Sequence, residues 1–143
     1  MRAALTAAEL ERRLAAEFPE VFHAGSGLNI LTVAHGSARL RLLAGDSMKR
    51  PGGTVAGSTL MLLADVTMYV AVLASIGWVP LAVTTSLNIN FLRKPARGPL
   101  IAECRLLKLG KRLAVGEVTI SSEDAPEAVA HATSTYSIPP QTK

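Results

Sequence analysis

Apolar positions along this chain change period twice. At the start they recur at helical spacing. Thr6-Ala-Ala-Glu9 has the form of a capping box, with Thr6 as N-cap and Glu9 at N3. Leu10, Leu14 and Phe18 follow as an amphipathic stripe that Pro19 ends or bends. After a loop, His23-Ala-Gly-Ser-Gly27, Leu28 to Ala34 and Ser37 to Leu43 predict two strands about a His35-Gly36 turn. A second loop with Pro51-Gly52-Gly53 leads into an uncharged apolar stretch broken by one carboxylate. This stretch predicts a helix over roughly Gly57 to Ile76, stopped by Gly77 and Pro80.

Beyond Pro80 the period becomes two. Val83, Thr85, Leu87, Ile89 and Phe91 are assigned to one face of a strand, and Thr84, Ser86, Asn88 and Asn90 to the other. Arg93 to Pro99 is a basic turn. Leu100 to Leu109 and Arg112 to Ser121 form a hairpin about Gly110-Lys111, and Glu127 to Ile138 is the last strand. The expected fold is α+β: one domain over 1–143, with six strands wrapped around one long apolar helix. A helix and loop occupy 1–27, the core 28–138 and a tail 139–143. The four strands after the long helix are expected to run as an antiparallel meander.

Asp65 carries the chemistry of the apolar helix. No Lys, Arg or His lies between Thr54 and Ile76 to pair with it. A carboxylate there costs several kcal/mol unless it is neutralised, solvated by a pocket or hydrogen-bonded. The small residues Gly57 and Ser58 open the same helix, whose first N–H groups have no intrahelical partner and suit an oxyanion. A carboxylate near such a donor end is what hydrolysis of an activated ester needs. The stretch is long enough to cross a bilayer, but Asp65 at its centre would cost roughly 2.5–3.5 kcal/mol on insertion scales. A helix buried by the sheet and a partner subunit is the better expectation, with no membrane association.

Composition narrows the partners. Nearly half of the residues are apolar and only 4% are aromatic, so the core is built from aliphatic side chains. The one cysteine, Cys104, alternates with Ala102 and Leu106 and reads as a buried strand position. No apolar signal segment is evident at the N-terminus, and a cytoplasmic location is expected. The net charge is +4. Eleven basic and three acidic residues lie between Arg39 and Arg112, while the two ends together carry −4. The excess falls in short clusters on turns: Lys49-Arg50, Arg93-Lys94 with Arg97, and Lys111-Arg112. Such clusters read as solvated surface or as a site for a polyanionic small ligand; nucleic acid is not expected, since no recognition motif accompanies them. His23, His35 and His131 lack ligand spacing, so neither a metal nor any other cofactor is expected.

The run Gly53-Thr-Val-Ala56-Gly57-Ser58, with Asp65 eight residues after Gly57, resembles the hotdog-fold acyl-CoA thioesterases of the phenylacetate type (PaaI-like). So do Asn88 to Pro95, Gly110 to Glu117 and Val129 to Tyr136. The resemblance covers roughly residues 28–138. It implies an acyl-CoA substrate, Gly57 N–H polarising the thioester carbonyl, Asp65 as nucleophile or general base, and Thr84 positioning the water or the carboxylate. It also implies homodimers, often paired into tetramers, with each site shared between subunits. Eight helical residues separate Gly57 from Asp65 by about 12 Å along the axis, so one subunit's Asp65 does not easily serve its own Gly57. Three family residues are absent: the His is Ala56, the second Gly is Ser58, and the Asn or Gln six residues before that His is Arg50. Candidate substrate contacts are Arg50, Ser58, Tyr69, Arg93, Lys94, Lys111 and Arg112. The departures keep open a non-catalytic hotdog module that binds acyl-CoA. A hotdog hydratase is disfavoured because its carboxylate–histidine pairing is not evident.

Overall fold

Helix α1 spans Ala7–Glu17 and begins with the capping box that its sequence predicts. Thr6 Oγ1 accepts from the Glu9 N–H at 3.1 Å, and the Glu9 carboxylate accepts from the Thr6 N–H at 3.0 Å. Leu10 and Leu14 are buried against the rest of the protein. Glu11 Oε1 accepts from the Ile30 N–H at 2.6 Å and ties the helix to the first strand. The structure, a computed structural model, describes residues 1–141; the last two residues of the expected tail lie outside the described residues.

The six strands are β1 Leu28–Ala34, β2 Ser37–Leu42, β3 Val83–Phe91, β4 Leu100–Leu109, β5 Leu113–Ser122 and β6 Ala128–Ser137. All pairings are antiparallel, in the order β1-β2-β4-β5-β6-β3. Helix α2, Gly57–Ile76, lies across the concave face and touches every strand. This is the hotdog arrangement. The facing side chains include Leu40, Leu100, Ala102, Ala114, Val118, Ala130 and Ala132, all buried. The alanines let the helix approach closely, and each buried Leu or Val contributes on the order of 1.5–3 kcal/mol. Thirteen of the twenty α2 residues are buried. Length and composition alone would let α2 cross a membrane, and the sheet that covers it accounts for its apolar character. Gly77, at φ +98°, closes it with its N–H on Leu73 O.

Two expectations about β3 need correction. First, the strands after α2 are not one meander: β4, β5 and β6 pair in succession, but β3 pairs with β6 at the sheet edge. Alternation fixes which side chains share a face and says nothing about which strand lies alongside. The connection from 92 to 99 carries Pro95 and Pro99, which cannot donate to a ladder, and is long enough to pass two strands at about 4.8 Å spacing. Second, the alternation within β3 is broken. Its register on β6 skips from Thr84↔Tyr136 to Ser86↔Thr135, leaving Thr85 as an extra residue. A bulge of this kind re-aims side chains. Thr84 therefore turns toward α2, on the same side as Leu87 and Ile89, which pack against the core.

Candidate active site

The bulge in β3 completes the surroundings of Asp65. Thr84 Oγ1 donates to Asp65 Oδ1 at 2.5 Å. The Tyr136 hydroxyl, from β6, lies 3.2 Å from the same oxygen and 3.2 Å from the Asp65 main-chain oxygen. Tyr136 is buried, and loss of solvation pushes its phenol well above the ordinary tyrosine range, so it remains a donor. The half-buried carboxylate thus has one oxygen held by two hydroxyls. Among the described residues Oδ2 takes no hydrogen bond, and it is not sealed from solvent. Asp65 opens onto a cleft of about 560 Å³. Its walls include Phe18, Tyr69, Trp78 and Tyr136, four of the chain's six aromatic residues. Tyr69 stacks on Tyr136 at 6.1 Å, meets Phe18 edge-on at 6.4 Å and donates its hydroxyl to Pro80 O. Burial raises the Tyr69 phenol, with the nearby Glu17 carboxylate adding to the shift.

Gly57 lies in a separate cleft of about 600 Å³, which includes Arg50, Phe91, Arg93, Lys94 and Pro95. Its position is set by the preceding turn. Pro51-Gly52-Gly53, with both glycines at positive φ, folds back so that Arg50 N–H reaches Thr54 O and Gly53 N–H reaches Arg50 O. The N-cap of α2 is Ala56, which offers no side-chain cap. Thr59 and Leu60 N–H both turn back on Ala56 O, and among the described residues nothing accepts from the Gly57 or Ser58 N–H. The helix therefore opens with free donors beside three cations. A Cβ at Gly57 would stand 3.4 Å from the Phe91 ring, so the aromatic side chain packs close to this end.

The structure brings some expected site residues together and separates others. Thr84 and Tyr69 join Asp65; Arg50, Arg93 and Lys94 join Gly57. Ser58 is exposed, lines neither cleft and makes no cap. It does share the uncovered stripe of α2 with Met61, Leu62, Asp65 and Tyr69. The two basic turns do not meet within one chain. Arg93 lies beside Ala128 and Val129 at the start of β6, whereas Arg112 donates to Ile138 O just past its end. Nine residues of strand put them about 30 Å apart. Lys111 and Arg112 thus lie at the Asp65 end of the sheet, and Arg50, Arg93 and Lys94 at the Gly57 end. Cys104 is buried beside Met68, with desolvation pushing its thiol up to about 12. His131 pairs with Glu117 on the outer sheet face. Among the described residues no three His, Cys, Asp or Glu side chains converge as a metal site. Tyr136 was missed as a site residue: the period of two puts it on the inner face of β6, but nothing in the sequence tells its partner.

The sequence pattern of the thioesterase superfamily matches residues 52–129, a segment that holds both Gly57 and Asp65. The chain belongs to the thioesterase superfamily. A solved structure from Silicibacter sp. TM1040, itself a thioesterase by inference, is 41% identical over 98% of this chain and 96% of its own, with a TM-score of 0.87. A mutant of the phenylacetic acid degradation protein PaaI from Thermus thermophilus is 26% identical over 79% of this chain and 94% of its own, at a TM-score of 0.69. Zebrafish thioesterase superfamily member 2, at 21% identity and a TM-score of 0.82, covers 94% of this chain and 99% of its own and shows the shared fold. Comparison with curated protein sequences returns no significant match. Family membership supports thioester hydrolysis as the general activity.

Proposed function

We propose that this protein hydrolyses acyl-CoA thioesters at sites shared across a homodimer. The observation that carries the proposal is the division of the chemistry: the free N–H of Gly57 and the free Oδ2 of Asp65 open onto different clefts of one chain. A twofold axis supplies the missing half of each site. The unpaired edge of β3 and the α2 stripe of Met61 and Leu62, both more than 40% exposed, form the apolar surface that a second copy covers. Antiparallel packing about that axis puts the Gly57 end of one subunit against the Asp65 end of the other. Lys111 and Arg112 then join the partner's Arg93 and Lys94 around one site. Pairing of dimers into a tetramer is compatible with this arrangement.

In the proposed reaction Gly57 N–H stabilises the negative charge that develops on the thioester oxygen. Asp65, oriented by Thr84 and Tyr136, takes a proton from the attacking water as general base, or attacks the carbonyl itself and is released by water. In both cases the C–S bond breaks, the CoA sulfur leaves as thiolate and takes up a proton, and water oxygen enters the products. Basic side chains hold the CoA phosphates and the aromatic cleft takes the acyl group. Location in the cytoplasm is consistent with a CoA substrate.

Thiol release from a panel of acyl-CoAs at several salt concentrations tests the reading. Turnover is expected with at least one ester. KM is expected to rise with ionic strength and on neutralising Lys94 or Lys111, because exposed charges are screened within about 10 Å at 0.1 M salt. Saturable CoA-ester binding without turnover would instead establish a non-catalytic binding module, the outcome that Ala56 and Arg50 favour by removing two family polar groups.

A further inference from the structure

The Asp65 cleft is closed on one side by the last turn of α1, and among the described residues the carboxylate that turn presents makes no ion pair or hydrogen bond. Glu17 and Phe18 both line the cleft. Glu17 is exposed and ends its helix, where the negative end of the helix dipole disfavours a carboxylate, and no basic residue stands in that turn to offset it. Arg13, one turn earlier, is placed for an i,i+4 ion pair. It lies instead 5.3 Å from the centre of the Trp78 ring. Among the described residues Glu17 takes part in no ion pair. The anchors of α1, its buried Leu10 and Leu14 and the Glu11 bond to Ile30, hold the helix end that carries this carboxylate at the rim. Among the described residues the lining contains Glu17 and Asp65 but no Lys or Arg, whereas that of the Gly57 cleft contains three cations and no acid.

We propose that Glu17 is a specificity-determining residue that excludes acyl groups carrying a distal carboxylate, so that the enzyme takes uncharged acyl thioesters. The proposal rests on the reading of the aromatic cleft as the acyl site. A charge at the far end of an acyl chain held in that cleft meets Glu17, and like charges within a few ångströms repel at low ionic strength. The ester end cannot be sorted this way, since it is common to all substrates. Arg13, which lies over the ring of the cleft residue Trp78, is placed to oppose the effect and sets up a competing outcome.

The test compares octanoyl-CoA with its ω-carboxyl counterpart, suberyl-CoA. Selectivity is the ratio of their kcat/KM values. Wild-type protein is expected to favour octanoyl-CoA, and Glu17→Gln to reduce that preference by about tenfold at low salt. Raising the salt to about 1 M, where the screening length is about 3 Å, should bring the two proteins' ratios together. A Glu17→Lys variant should shift the ratio further toward suberyl-CoA, which a merely structural role would not do. Trp78 is the chain's one tryptophan and lines the cleft. Its fluorescence therefore reads binding of the non-hydrolysable thioether analogues of both compounds, independently of turnover. Discrimination in binding that Glu17→Gln relieves, without turnover, would support the filter and sink the thioesterase reading. Turnover with the same ratio in wild type and Glu17→Gln would overturn the filter alone. A wild-type preference for suberyl-CoA that Arg13→Gln removes would also overturn it.

Discussion

Asp65→Asn is expected to lower kcat for thioester hydrolysis by about two orders of magnitude or more while the protein stays folded. The geometry makes this substitution informative. The Asn carbonyl oxygen can take the place of Oδ1 and keep the donors from Thr84, at 2.5 Å, and Tyr136, at 3.2 Å. The amide nitrogen then replaces Oδ2, which opens to the cleft and has no donor opposite it among the described residues. Nothing is left buried and unsatisfied, so the cost in stability is expected to stay below about 1 kcal/mol. What is lost is the ability to accept a proton or attack a carbonyl. Thiol-release kinetics beside a thermal melt read the two effects separately. A near-normal kcat in a well-folded variant would remove Asp65 from the mechanism.

Gly57→Pro is expected to cost about 10²- to 10³-fold in kcat, the range for loss of one oxyanion donor. Proline deletes the N–H without adding a polar group, and the first helical position is where a helix accepts it best. Ala56 has φ −69° and ψ 149°, the extended conformation that a residue before proline prefers. The bonds from Thr59 and Leu60 N–H to Ala56 O do not involve Gly57. The added Cβ meets the Phe91 ring at 3.4 Å, an ordinary contact distance. Helix content by circular dichroism should therefore hold while kcat falls and KM changes little. Retention of kcat would show that this N–H does not face the reacting carbonyl.

Most of the fold was legible because its elements have clean periods. The capping box at Thr6, the stop at Gly77 and the strict alternation of β5 are local features that the structure keeps. The neighbour order of the strands was not legible, because β3 reads the same whether it pairs with β4 or β6. Nor was the bulge at Thr85, which no proline or glycine marks. Asp65 stood out as a lone charge in an apolar helix, and its partner Thr84 followed only from the family resemblance. Tyr136 joins the site by a contact spanning 71 positions, which no spacing rule contains. The separation of the two basic turns was hidden for a related reason: both sit on turns, but at opposite ends of β6.

Mixing two inactive variants tests the shared site most directly. In a dimer of Asp65→Asn with Gly57→Pro, one site carries both lesions and the other carries neither. Random subunit exchange should therefore restore about a quarter of wild-type activity from two preparations that are each nearly inactive. Failure to restore activity despite proven exchange, or full activity from a monomer in sedimentation at the assay concentration, would contradict the account.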